Sequence, residues 1–212
     1  MKGIITMKLF FDTEFTGLHK DTTLISIGII AENNRCFYAT LTDYDVTQVN
    51  DWIEKNVINN LEISLELLEL YDITEVTGTK QEVKESFLQW LDTLESDSFE
   101  LVSDVCHYDM TLFVDLFGTA FDLPENISPC CYDINQDIYY STGSLQEAFD
   151  TNREQLLQTL AERTYDDILD KMTPIINLDD SCKHNSLYDA IVIKCLYELI
   201  VGGLMEEEED WF

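Results

Sequence analysis

Residues 8–17, Lys8-Leu9-Phe10-Phe11-Asp12-Thr13-Glu14-Phe15-Thr16-Gly17, join a short apolar run to two acids and a glycine turn. Successive side chains of a strand alternate faces, so residues two apart share one. Leu9 and Phe11 fall on one face, and Asp12 and Glu14 on the other, at the strand's end. Two carboxylates side by side repel and cost stability unless something neutralises them. A divalent cation does so. Hard oxygen ligands on a short strand suit Mg²⁺ or Mn²⁺ rather than Zn²⁺. In so acidic a chain a D-x-E pattern is common by chance. The weight here comes from its place at a strand end, followed by Phe15-Thr16-Gly17.

Further along, Leu24–Ala31 is β-branched and apolar, and Cys36–Leu41 follows a turn at Glu32-Asn33-Asn34. Together with Leu9–Phe11 these predict a three-strand meander. Asp45–Asn60 and Thr79–Leu94 read as amphipathic helices, the second with Val83, Phe87, Trp90, Leu91 and Leu94 at helical spacing. Phe99–Val102 reads as a fourth strand and Met110–Phe117 as a helix ending at Gly118. Residues 119–150, broken by Pro124 and Pro129, read as irregular. Residues 152–172 read as a helix ended by Pro174, and Ser186–Val201 as a last helix closed by Gly202-Gly203. A meander followed by alternating helices and strand predicts an α/β fold with a mixed sheet, antiparallel in the meander and parallel beyond it, flanked by helices.

The 212 residues fit one domain, expected over 8–203 between an extension at 1–7 and an acidic tail at 204–212. Lys and Arg number 12 against 42 Asp and Glu, a formal charge of −30, yet 45% of residues are hydrophobic. That apolar content separates the chain from disordered acidic sequences and supplies a core. The charge argues against passive docking on nucleic acid or an anionic membrane, since both need a basic surface. It is unevenly spread: residues 41–150 hold 24 acids against three bases. A solvated acidic surface is one reading, and a nucleic-acid mimic that titrates a basic partner is another. Neither a secretory signal nor an apolar run of membrane-spanning length is visible, which predicts a cytoplasmic protein. Six cysteines in such a chain are expected as reduced thiols, and the absence of C-x-x-C speaks against zinc.

Two more acids stand where chemistry needs them. Asp109, in Ser103-Asp104-Val105-Cys106-His107-Tyr108-Asp109, follows a predicted strand and opens a helix. An acid there gains from the helix N-terminus and points over the sheet end. Asp104 and Asp115 are its rivals. Asp189 lies in the first turns of the last helix. His184, five residues earlier, would point about 140° away on one continuous helix. His184 must therefore sit on the preceding loop, with Asn185 or Ser186 as N-cap, to swing back towards Asp189.

Asp12/Glu14, Tyr108-Asp109 and His184/Asp189 resemble, in order and spacing, the three motifs of DEDD-type 3′–5′ exonucleases. The H-x-x-x-x-D spacing is similar to the DEDDh branch, which includes RNase T, oligoribonuclease and the proofreading epsilon subunit. The DEDDy branch wants a Tyr at position 185, where Asn185 stands. Phe11–Gly17, Val102–Gly118, His184–Ile193 and Trp52–Val57 look most like the small stand-alone exoribonucleases of mycobacterial and phage type. One departure is Asp104, where many relatives carry Asn.

The resemblance implies a ribonuclease H-like fold and a two-metal site in which Asp12, Glu14, Asp109 and Asp189 hold two Mg²⁺ or Mn²⁺ ions. It assigns His184 as general base, and Phe15, Thr16, Leu18 and Tyr108 to the terminal nucleotide. The implied substrate is single-stranded RNA or short oligonucleotides, with single-stranded DNA the alternative, cut from the 3′ end to nucleoside 5′-monophosphates. A homodimer, as occurs among similar exonucleases, is the expected assembly. Two other classes compete: a catalytically idle fold used as an acidic mimic or protein-binding module, and a ribonuclease H-like endonuclease. All four acids and the histidine are present, which favours the exonuclease.

Overall fold

The computed structural model describes residues 5–142, 152, 153, 155–157 and 183–209, with the backbone alone at 140–142 and 201–209. Six strands form one mixed sheet: β1 (Thr6–Phe15), β2 (Leu24–Ala31), β3 (Arg35–Leu41), β4 (Asp72–Gly78), β5 (Ser98–Ser103) and β6 (Ile127–Asp133). Their order is β4-β3-β2-β1-β5-β6. The meander β1-β2-β3 is antiparallel, as expected, while β4, β5 and β6 pair in parallel with β3, β1 and β5 respectively.

The strands are read by their alternation. Leu9 and Phe11 of β1, Ile27 and Ile29 of β2, Phe37 and Ala39 of β3 and Leu101 of β5 enter one core. That core is covered by α3 (Lys80–Asp92) and α4 (His107–Phe117). Phe10, Ile30, Cys36, Tyr38 and Val102 enter the opposite core, against the long helix at the C-terminal end, Ser186–Glu209. All eight residues of β2 are buried, as a central strand covered on both faces should be. α3 starts at a capping box: Thr79 and Glu82 each satisfy the other's backbone N–H.

Several elements differ from the sequence expectation. The helix predicted over 45–60 is broken into a 3₁₀ turn (Val46–Gln48), α1 (Asp51–Asn56) and a second 3₁₀ turn (Ile58–Asn60). The cause is internal capping. Asp45 accepts from the Thr47 N–H, and Asn50 Oδ1 accepts from Trp52 and Ile53, so the chain restarts its helix twice. α2 (Leu65–Leu70) and β4 were not anticipated. β4 is a mostly exposed edge strand, so its charges conceal the period-two signal.

The 119–150 segment is not irregular throughout. It holds β6 and α5 (Asn135–Thr142). Pro129 is tolerated because β6 is an edge strand, and its pairing with β5 is irregular between Phe99 and Leu101. The last helix, α6 (Ser186–Glu209), continues through Gly202-Gly203 and through much of the expected tail. Glycine in a helix costs about 1 kcal/mol relative to alanine without forbidding it. Most of the helix predicted over 152–172, together with Pro174 and Trp211-Phe212, lies outside the described residues. Among the described residues no helix is long and apolar enough to cross a membrane.

One glycine sets the position of α6. Gly28 of β2 lies opposite Asp12 of β1. A Cβ on it would stand 2.2 Å from the Leu187 backbone nitrogen and 2.3 Å from the Ser186 carbonyl carbon. The N-terminus of α6 therefore rests on bare strand backbone. The Ser26–Ser186 hydroxyl pair at 3.0 Å fastens the same junction.

Candidate active site

Asp12 and Glu14 project from the β1 face that carries Phe10, the face against which α6 packs. That alternation, with the close approach at Gly28, brings Asp189 from the first turns of α6 onto the acidic pair. Carboxylate oxygens of Asp12, Glu14 and Asp189 all lie within 4.8 Å of one another.

Asp109 arrives from the other layer. It stands in the first turn of α4 and is 6% exposed. Its Oδ1 accepts from the Thr13 backbone N–H at 3.1 Å and from the Thr13 hydroxyl at 2.6 Å. Thr13 sits between the two acids but faces the opposite way. It thus carries no carboxylate and instead ties α4 to the end of β1. Nothing in its sequence context marks it beyond that position. Gly28 had a readable signal, since an isolated glycine inside an apolar strand often marks close backbone approach.

The four acids perturb one another. Burial is the largest cause raising Asp12 well above the usual carboxylate range, followed by the charges of Asp109, Asp189, Glu14 and Asp104. Glu14 is raised well above its usual range by burial, then by Asp189 and Asp109. Asp109 is pushed up to about 6 by burial, against the lowering effect of its Thr13 hydrogen bonds. Every influence named at Asp12 and Glu14 acts in the same direction, against ionisation. Such a cluster of hard oxygen donors fits divalent cations of the Mg²⁺ or Mn²⁺ class.

The sign of the consequence follows from linkage. Each folded pKa exceeds the unfolded value, near about 4. The folded state therefore binds more protons than the unfolded state in the window from about pH 4 to about pH 6 for Asp109. That contribution to stability is present below the unfolded pKa and is lost as pH rises through the folded one. In chelator, the melting temperature should fall between about pH 5 and pH 7.5, and added Mg²⁺ or Mn²⁺ should restore it at the higher pH. Scanning calorimetry at both pH values is the check. A melting temperature indifferent to pH and to cation would show that the cluster carries no such strain.

His184 lies on the loop before α6, as expected, with a left-handed backbone (φ 60°) that non-glycine residues rarely adopt. Asn185 is the N-cap: its Oδ1 accepts from Leu187 at 3.1 Å and Tyr188 at 3.3 Å. Its side-chain amide also donates to the Asn60 carbonyl at 2.9 Å, so the histidine loop is fastened to the chain that follows α1. The His184 ring meets the Trp52 ring edge to face, centroids 5.2 Å apart. Trp52 is itself 57% exposed, an aromatic surface beside His184 that the sequence marked only within the Trp52–Val57 stretch.

The other expected site residues separate into three situations. Phe15 and Tyr108 stack on each other, centroids 5.3 Å apart and planes 22° apart, and Phe15 also packs against the core. Thr16 is buried, and its hydroxyl is engaged with Gln48, Thr22 and Thr23. It shapes the loop after β1. Leu18, on that loop, is 79% exposed. Asp104 closes against Arg153 rather than joining the carboxylate cluster, and Asp115 pairs with Lys80 on the surface.

Comparison with known proteins accords with this geometry. No protein-family model matches the chain. Two curated 3′–5′ exoribonucleases of Mycobacterium tuberculosis, from strains CDC 1551 / Oshkosh and ATCC 25618 / H37Rv, are each 27% identical over 130 residues. The match covers 61% of this chain and 73% of theirs. The nuclease domain of 3′hExo, a DEDDh family member solved bound to rAMP, matches with a TM-score of 0.56 at 14% identity. That likeness covers 95% of this chain and 93% of the other. The chain is thus similar in sequence to 3′–5′ exoribonucleases, and its mixed sheet with flanking helices has the ribonuclease H-like fold of a DEDDh nuclease domain.

Proposed function

We propose that the protein is a divalent-cation-dependent 3′–5′ exonuclease acting on single-stranded RNA or short oligonucleotides and releasing nucleoside 5′-monophosphates. The observation that carries this reading is the convergence of Asp12, Glu14 and Asp189 within 4.8 Å, with buried Asp109 beside them. Three carboxylates from β1 and α6 meet at the end of one strand, and Asp109 of α4, bonded to Thr13 between Asp12 and Glu14, is near enough to act on both. No packing need of the fold calls for burying that much like charge.

In this reading Asp12, Glu14, Asp109 and Asp189 hold two Mg²⁺ or Mn²⁺ ions. Bound there, the ions supply positive charge that activates a water and stabilises the departing 3′ oxygen. His184 takes the proton from the attacking water, a role suited to an imidazole that titrates near neutrality. Its left-handed backbone and the capped turn at Asn185 keep it on the loop, off the α6 helix that carries Asp189. In this reading Leu18, exposed on the loop after β1, wedges against the terminal base, and the stacked Phe15 and Tyr108 contact the same nucleotide.

The acidity limits what else binds. With a net charge of −30, the protein offers little to a long phosphate track. Short or end-accessible strands held mainly at the cation cluster are the expected substrates. The test is the release of 5′-mononucleotides from 5′-labelled single-stranded RNA in Mg²⁺ or Mn²⁺, with the DNA strand of the same sequence run beside it. Ladders shortening from the 3′ end support the reading. Internal cuts, or no cleavage with either strand, would overturn it.

A further inference from the structure

Asp104 and Arg153 form a closed charge pair next to the carboxylate cluster. β1 and β5 run parallel, and their last registered pair is Phe10 with Val102. Two residues further along come Asp12 on one strand and Asp104 after the other. Asp104 is near enough to act on both Asp12 and Asp109. It is a fifth carboxylate at the rim of a four-carboxylate site.

Arg153 occupies it from both sides. The guanidinium Nε donates to Asp104 Oδ2, and Nη2 donates to Oδ1 at 3.0 Å. Asn135 Nδ2 also donates to Oδ1, and its own Oδ1 accepts from Arg153 Nη2 at 2.5 Å. The two charged side chains are only 15% and 16% exposed. Asn135 is anchored in turn. Its backbone N–H donates to Asp133 Oδ1 at 2.9 Å, and the same oxygen accepts from the Val105 N–H at 3.2 Å. Val105 has φ 51°, so this network also pins the strained turn that leads into α4 and Asp109. Between Lys84 and Arg163, Arg153 is the one basic residue.

From this geometry we infer that Arg153 is a positioning residue whose forked grip on Asp104 keeps a fifth carboxylate out of the cation-binding cluster. The inference rests on the cluster being a divalent-cation site. A buried fork of this kind satisfies both Asp104 oxygens with fixed geometry, which a bare lysine charge would not. Without Arg153, Asp104 is an uncompensated buried charge beside Asp12 and Asp109, free to turn towards a cation. Without Asp104, the guanidinium loses that carboxylate beside the same site.

The two single variants should therefore move cation affinity in opposite directions. Arg153→Met should bind Mn²⁺ about tenfold more tightly, and Asp104→Asn about tenfold more weakly, as expected for adding or removing a unit charge near the site. Arg153→Met should also lower kcat on single-stranded RNA by about 10–100-fold, the usual cost of losing a partner that orients a metal site. The double variant Asp104→Asn/Arg153→Met restores the charge balance and should bring Mn²⁺ affinity back towards that of the unaltered protein. Mn²⁺ titration by calorimetry or electron paramagnetic resonance reads this without turnover. A merely structural role would weaken Mn²⁺ binding in both single variants and leave the double variant worst, and that pattern overturns the inference. Should Arg153→Met not fold, the double variant and Asp104→Asn still decide: if removing Arg153 from the Asp104→Asn background fails to raise Mn²⁺ affinity, the inference is wrong. Failure of the underlying site reading looks different, since the unaltered protein itself would then bind no Mn²⁺.

Discussion

Asp12→Asn is expected to reduce RNA hydrolysis by at least about 10³-fold, or about 4 kcal/mol of transition-state stabilisation. Asp12 stands at the centre of the cluster, acted on by Glu14, Asp109 and Asp189 together. The amide keeps the shape and removes the charge proposed to hold a cation. The same substitution should raise the melting temperature of the cation-free protein near neutral pH, because Asp12 is buried among like charges there. Loss of activity with a gain in stability is a signature that misfolding cannot imitate. The measurements are hydrolysis of 5′-labelled single-stranded RNA and calorimetry in chelator. Equal activity in the two proteins, after clean purification, would sink the cation-cluster reading.

His184→Ala should slow hydrolysis by about 10²–10⁴-fold, the range for loss of a general base. Here cation binding should survive, because the carboxylates that gather on β1, α4 and α6 are untouched. Mn²⁺ affinity within about twofold of the unaltered protein, with kcat collapsed, separates this variant from Asp12→Asn. Imidazole added to the assay should restore part of the rate if the missing group is a base. A variant that loses Mn²⁺ binding along with activity would assign His184 to the cation site instead. The alanine removes only the ring contact with Trp52 and leaves the left-handed backbone at 184 in place, so any change in stability is expected to be small.

The charge of −30 takes on a different meaning once the site is assembled. Read along the chain, it argued against nucleic acid. In the fold, three of the 42 acids gather where a cation would invert the local sign, Asp109 acts on them from α4, and a fifth is held by Arg153. The rest of the acidic surface still opposes a long phosphate track, which narrows the expected substrate to strands engaged by their ends.

Much of the architecture was legible because it is local. The apolar runs Leu9–Phe11 and Leu24–Ala31 and the helical spacing from Val83 to Leu94 all declare their element through neighbouring residues. The capping box at Thr79 and Glu82 is local in the same way. The elements that escaped were those whose identity depends on a distant partner. β6 is a strand, despite Pro129, because β5 lies beside it and, among the described residues, no further strand lies beyond it. α6 continues past two glycines although its sequence suggests an end there.

The site divides along the same line. The candidate acids and His184 were legible in the sequence, because strand alternation and helical angle fix which way each side chain leaves its own backbone. Whether they meet was decided in three dimensions. Asp189 reaches Asp12 only because Gly28, about 160 residues earlier, offers no side chain to the incoming helix. Asp109 is held by Thr13 from another layer, and Asp104 is taken up by Arg153. Sequence periodicity specifies directions within an element. Distances between elements follow from packing, where a missing Cβ or a buried guanidinium determines which charges share a site.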